Sequence, residues 1–286
     1  MNHTDIFAHR AQGMKASEIR ELLKLLDQPD IISFAGGIPD PKYFPRAAFA
    51  EAMTVALDEA TAGVALQYAA SEGYVPLREW IADHMKTLGV SCDIDNIMVT
   101  AGSQQALDYL GKLFLDKDDT ALVEWPTYLG ALGAFNAYEP QFDRLNAGEN
   151  RDPDAVAKQA QAAGGRTKFS YLSPDFANPT GKTLSKAERQ SVLAQAEALG
   201  IAVIEDGAYQ SLRYEGDAIP SILALEMADK GDIDACRTIY CGSFSKTLAP
   251  GLRVGWVVAA KPVISQMVLL KQAADLQTAT INQIAV

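Results

Sequence analysis

The residues able to do covalent chemistry in this chain gather in one segment, YCGSFSKTLAPGLRVGW at 240–256. Lys246 stands there among small hydroxyl residues and glycines, with Arg253 seven positions on and apolar runs to either side. Burying an unpaired ammonium is strongly unfavourable, or else drives the amine neutral. Two readings of Lys246 are therefore open: an ordinary surface lysine in a loop, or a neutral amine kept for nucleophilic work. The rest of the inventory offers no competitor. The three histidines, His3, His9 and His84, are isolated, and the three cysteines, Cys92, Cys236 and Cys241, make no even framework. Cys236 and Cys241 are five apart with no histidine near them, which does not suit a metal.

Several other groups stand where chemistry is done if the chain folds as its pattern implies. Short apolar runs at 97–100, 121–125, 141–145, 169–173, 202–206, 238–243 and 254–259 read as strands. Helical patterns lie between them at 103–115, 127–137, 153–163, 185–199 and 261–278, the fourth opened by a Ser185/Glu188 capping box. This alternation predicts an α/β fold with a mostly parallel sheet covered on both faces, the short loop before the last strand allowing an antiparallel member. In such sheets ligands bind beyond the carboxyl ends of the strands. Five loops should meet there: AGSQQAL, PTYLG, PDFANPTGKT, GAYQS and FSKT.

Each loop carries a chemical reading and a plainer one. AGSQQAL offers helix-terminal N–H groups with Ser103 and Gln104, which suits a phosphate, or Ser103 is simply an N-cap. Ser243, Ser245 and Arg253 add donors and a fixed positive charge, unless Arg253 belongs to a structural ion pair. Asp206 closes the apolar run IAVIED and needs a cationic partner, such as a protonated ring nitrogen, or caps the next helix. Tyr209 and Asn178 can donate to a ring oxygen, although NPTG also has turn composition. Tyr128 offers a flat face for stacking or is a core tyrosine. GKT at 181–183 resembles the tail of a P-loop, but that motif needs a glycine where Phe176 stands.

The 286 residues are 48% hydrophobic and 21% charged, enough for a large domain with a substantial core. A net charge of −11 argues against a nucleic-acid binder. No run of about 18 apolar residues exists, so no membrane span is predicted, and the amino terminus has no signal-peptide core. A cytoplasmic protein is the expectation. Residues 1–50, with the amphipathic SEIRELLKLL and the loop-rich SFAGGIPDPKYFP, read as an arm.

Taken together, SFSKTLAPGLRVGW resembles the lysine motif of fold-type I pyridoxal-phosphate enzymes, the class I/II aminotransferases. ANPTG, EDGAY, AGSQQAL and LQYAASEGYVPLRE are similar to that family's other signatures, in its order. SFAGGIPDPKYFP, GSQQALD and KASEIRELL are most similar to the 2-aminoadipate, kynurenine and broad-range amino-acid aminotransferases. The resemblance implies a seven-stranded large domain over 51–286, and an arm with part of a small domain over 1–50. It implies that Lys246 holds pyridoxal 5'-phosphate as an internal aldimine and shuttles the proton. Asp206 would keep the pyridine nitrogen protonated, while Asn178 and Tyr209 contact the ring oxygen. Ser103, Gln104, Ser243, Ser245 and Arg253 would bind the phosphate, with Tyr128 stacked on the ring.

The same resemblance implies a homodimer in which Tyr68 reaches the neighbouring subunit's site. The Gly36–Gly37 turn would lie against the substrate carboxylate. Arg20 would recognise an acidic side chain, or is a surface arginine. The implied activity moves an amino group from an L-amino acid of 2-aminoadipate, aromatic or branched-chain type to a 2-oxo acid such as 2-oxoglutarate. Rival readings are a lyase or decarboxylase on the same cofactor, a non-catalytic sensor, and an inactive fragment. Relatives usually continue into a C-terminal segment with an arginine that clamps the substrate carboxylate. None follows Val286, so the expectation is a small domain missing from this chain. Relatives also often carry an acid where Gly207 stands, a difference expected to alter only loop stiffness.

Overall fold

Alternation within the strands sends successive side chains to two apolar layers, as a sheet buried on both faces requires. In the computed structural model, which describes residues 3–14 and 37–286, seven strands realise this. They are β1 Ile97–Thr100, β2 Thr120–Val123, β3 Gln141–Arg144, β4 Thr167–Leu172, β5 Ala202–Asp206, β6 Thr238–Ser243 and β7 Gly255–Val258. Met98, Phe169, Tyr171, Ile204, Ile239, Cys241 and Val257 face one layer. Ile97, Val99, Tyr240, Trp256 and Val258 face the other, continued by Leu122, Leu172 and Val203.

The strand order is β1-β7-β6-β5-β4-β2-β3. β7 is antiparallel to both β1 and β6, and every other pairing is parallel. Since β7 reverses twice over, β1 runs with β6. The carboxyl ends of β1, β2, β4, β5 and β6 therefore share one edge, as the sequence pattern requires.

The helices of the described residues are α1 His9–Gly13, α2 Arg46–Ala56, α3 Ala62–Ala65, α4 Val75–Thr87 and α5 Ser103–Phe114. They continue with α6 Leu129–Asn136, α7 Pro153–Ala162, α8 Lys186–Leu199, α9 Ile222–Lys230, α10 Lys261–Ala274 and α11 Thr280–Ala285. α5, α6 and α10 supply Leu107, Leu110, Phe135 and Met267 to the first layer. α4 lays Leu77, Ile81 and Met85 on the second, four residues apart along one helical face. No helix is predicted at 75–87 or 222–230 from the sequence, and both are present. Among the described residues, no helix is long and apolar enough to cross a membrane.

Other boundaries depart from expectation for local reasons. β2 ends at Val123, so Glu124 and Trp125 leave the ladder ahead of Pro126, whose nitrogen has no hydrogen to donate. Helix α6 is shorter than the expected 127–137. The expected helix over 261–278 stops at Ala274, the end of α10, and α11 begins beyond it at Thr280. Leu276 turns left-handed with φ 69°, and its N–H returns to Lys271 O at 2.9 Å. The fully buried Lys271 ammonium donates to both Asp275 oxygens, at 3.0 and 3.1 Å, and to Gln105 Oε1. α2 starts at Arg46, inside the stretch expected to be an arm. SEIRELLKLL, Arg20 and Gly36 lie outside the described residues.

Candidate active site

Lys246 sits in the connection from β6 to β7, at the shared edge. Its Nζ donates to Gly37 O at 3.1 Å and stands 5.8 Å from the centre of the Tyr209 ring. Among the described residues it has no carboxylate partner. Burial lowers its pKa, favouring the neutral, nucleophilic amine. Beneath it Ser243 Oγ donates to Ser245 Oγ at 2.9 Å, and Ser245 N–H donates back to Ser243 Oγ at 3.1 Å. Lys246 is half-buried in this placement.

Asp206, at the tip of the neighbouring β5, is buried. Tyr171 OH donates to its Oδ2 at 2.9 Å and Ala208 N–H to its Oδ1 at 3.2 Å. Burial raises its pKa, and these two donors oppose the rise. No cation pairs with it among the described residues, so its charge lacks the complement that a buried carboxylate ordinarily requires. Tyr171 was not legible as a site residue. It lies inside β4 on the face shared with Ile204, where its sequence signal is that of a core aromatic.

Past Asp206 the chain turns through Gly207 to Tyr209, whose hydroxyl is 3.5 Å from Asn178 Nδ2. Gly207 is a steric requirement as well as a flexible link, which corrects the expectation of altered stiffness alone. Any Cβ there would strike the Tyr240 ring, whose hydroxyl is tied to Gln210 Oε1 at 2.8 Å.

Arg253 adopts a left-handed conformation with φ 53° and lies across the start of α5. Its Nη1 donates to Pro250 O at 3.2 Å and its Nη2 to Ala101 O at 3.3 Å. A side chain on Gly102 would collide with the guanidinium, so glycine is what lets the cation settle on the backbone at the helix N-terminus. No carboxylate pairs with Arg253 among the described residues. A guanidinium held against the positive end of a helix is mutually repulsive until an anion joins them. Here Ser103 opens α5, and Gln104 Nε2 donates to Gly130 O at 2.7 Å, bracing the loop of Tyr128. The Tyr128 ring folds over Gly130 and senses the charges of Asp206 and Arg253.

Of the sequence-predicted residues, Lys246, Asp206, Tyr209, Asn178, Ser243, Ser245, Arg253, Ser103, Gln104 and Tyr128 stand at this edge, with Gly37 beside the amine. Tyr68 stands apart, 79% exposed. A separate cavity of about 510 Å³, lined by Arg166, Lys168, Arg237 and Phe114 among others, opens at the opposite edge and shares no residue with the group.

A mostly parallel α/β sheet whose strand tips bring together an amine, a buried carboxylate and a guanidinium at a helix start is the arrangement of the fold-type I pyridoxal-phosphate class. Comparison with known proteins agrees. Residues 29–285 match the family model described as aminotransferase class I and II. The chain is 42% identical to the 2-aminoadipate transaminase of Thermus thermophilus, over 100% of this chain and 69% of that protein. It is 39% identical to aromatic-amino-acid aminotransferase 1 of Thermococcus litoralis, over 99% of this chain and 67% of that protein. The solved kynurenine aminotransferase of Pyrococcus horikoshii, in complex with PMP, superposes with a TM-score of 0.87 at 40% identity, over 99% of this chain and 69% of that one.

The chain belongs to the class I and II aminotransferase family. It is a transaminase, and pyridoxal phosphate is its cofactor. The residues present fit that group, because the amine, the buried carboxylate and the guanidinium at a helix start each lack a complement that it carries.

Proposed function

We propose that this site transfers an amino group from an L-amino acid of 2-aminoadipate, aromatic or branched-chain type to a 2-oxo acid such as 2-oxoglutarate, with Lys246 as the covalent and proton-moving residue. One observation carries the reading: three charged or nucleophilic groups at one sheet edge have no ionic partner among the described residues. They answer to the aldehyde, ring nitrogen and phosphate of a single molecule. When bound, pyridoxal phosphate supplies an electron sink for the substrate Cα.

The chain's own residues do the rest. Lys246 Nζ, depressed in pKa by burial, is the amine that attaches the cofactor and then carries the proton to and from the substrate Cα. Asp206 would hold the ring nitrogen in its protonated form, with Tyr171 keeping that carboxylate oriented. Asn178 and Tyr209 would donate to the ring oxygen, and Tyr128 would cover the ring face. Arg253, Ser103, Gln104, Ser243 and Ser245 would hold the phosphate. Gly37, within 3.1 Å of the Lys246 amine through its carbonyl, borders the substrate. The substrate class rests on relatives named for 2-aminoadipate, aromatic amino acids and kynurenine. Arg20 is assigned to an acidic substrate side chain by sequence alone. The active unit is a homodimer in which Tyr68 completes the partner's site.

Borohydride reduction of the holoenzyme followed by peptide mapping tests the assignment. The expected result is a pyridoxyl label on the peptide bearing Lys246, and its loss in Lys246→Ala together with transamination to 2-oxoglutarate. A label on another lysine, or an amino-acid-sensitive absorbance that survives in Lys246→Ala, overturns it.

A further inference from the structure

Two of the loops that carry the site are fastened to each other by a carboxylate that touches neither Lys246 nor Asp206. Asp175 lies three residues before Asn178 and is buried. Its Oδ1 accepts from Arg189 Nη2 at 2.8 Å and from Arg213 Nη2 at 2.9 Å. Arg189 projects from α8 with its side chain wholly buried. Its remaining donors hold the two ends of the surrounding backbone, at Leu184 O (3.1 Å), Pro174 O (3.2 Å) and Pro220 O (3.1 Å). Arg213 comes four residues after Tyr209, across one short helical turn, and its guanidinium covers the Phe176 ring at 4.9 Å.

The loop of Asn178 and the loop of Tyr209 thus meet at one oxygen atom. Their functional ends meet again at the 3.5 Å contact between Asn178 Nδ2 and Tyr209 OH. A buried carboxylate shared by two guanidiniums is rigid, since losing the carboxylate would leave the wholly buried Arg189 without its ionic partner. Its geometry is set by a planar fork that lysine cannot reproduce.

We propose that Asp175 is a positioning residue for the cofactor, clasping these two loops so that Asn178 and Tyr209 present their donors to one ring oxygen at a fixed spacing. The proposal rests on the reading of Lys246, Asn178 and Tyr209 given above. Loosening the clasp weakens hydrogen bonds that lower the basicity of the lysine-linked cofactor. A purely structural Asp175 would change stability and nothing spectroscopic.

The experiment is a spectrophotometric pH titration of the holoenzyme, with the rate of cofactor release, in wild type, Asp175→Asn, Arg213→Met and Arg213→Lys. Arg213→Met is included because Arg213 is the more exposed member and its loss leaves the Asp175–Arg189 pair intact. The expected result is an upward move of the titration midpoint by about one unit, equivalent to losing roughly one hydrogen bond to a charged group. Cofactor release should quicken about tenfold on the same basis, with Arg213→Lys recovering only part of either effect. Midpoints and release rates equal to wild type in Asp175→Asn and Arg213→Met, beside a lowered melting temperature, overturn the proposal. If wild type itself shows no lysine-linked band, the reading of Lys246 fails and the proposal falls with it.

Discussion

Tyr171 is the residue on which the charge of Asp206 depends. The carboxylate is buried, and of its two donors among the described residues Tyr171 is the only side chain. Tyr171→Phe keeps the packing of the ring against Phe135 and removes that donor. The pKa of Asp206, already raised by burial, should then rise further, because a hydrogen bond to the charged form has gone. The expected outcome is a fall in kcat/KM of about tenfold, the worth of one bond to a charged group, with the acid limb of its pH profile moved upward. An acid limb unmoved in Tyr171→Phe would show that the hydroxyl does not govern Asp206. This is also where sequence reading reached its limit. Lys246, Asp206, Asn178, Tyr209 and Arg253 were legible because small, polar or charged residues break apolar runs at strand tips. Tyr171 breaks nothing. Its role depends on which residue of the next strand it faces, a matter of register. Tyr240 over Gly207 was hidden for the same reason.

Elements were legible where their signals are local. The Ser185/Glu188 capping box forms as read, with Glu188 N–H donating to Ser185 Oγ at 3.3 Å and Ser185 N–H to Glu188 Oε2 at 2.8 Å. All seven strands were found. α4 and α9 were not, because their apolar faces become evident only once the sheet they cover is known. α9 is held through its first turn, where Ile222 and Leu223 N–H donate to Glu205 at 2.8 and 2.9 Å. Burial raises Glu205 from 4.5 to about 7 against those donors, and burial raises Glu124 in the same way, to about 7. Between pH 4.5 and 7 these two carboxyls therefore hold more protons in the folded chain than in the unfolded one, and their contribution to stability falls as pH rises through that window, opposed in part by His84, whose pKa burial lowers. Glu205 alone contributes up to about 3 kcal/mol of this slope. The urea midpoint should drop between pH 5 and 7.5, and Glu205→Gln should flatten the drop. A midpoint that holds steady or rises in wild type would contradict the assignment.

For the whole molecule, the question is what meets its exposed large side chains. Leu66, Tyr68, Trp125 and Leu129 are all exposed, though large and apolar or aromatic, and side chains of this kind suit a partner surface. The homodimer proposed above supplies one, and it makes a prediction about mixing. Lys246→Ala alone lacks the amine, and Tyr68→Phe alone should bind cofactor weakly. In a mixed dimer of the two, one site combines an intact Lys246 with the other subunit's intact Tyr68. Titration of the isolated mixed dimer should therefore recover wild-type cofactor affinity at half its sites. If Tyr68 served its own subunit, every Lys246-bearing site in the mixture would stay weak.

The reversal of β7 has a further bearing on the chemistry. Because the strand descends beside the one that rises before it, Lys246 and Arg253 ride on a single span moored at both feet to the sheet. On the proposed roles, the amine that would release the cofactor and the guanidinium that would retain its phosphate could not drift apart, because one span carries both.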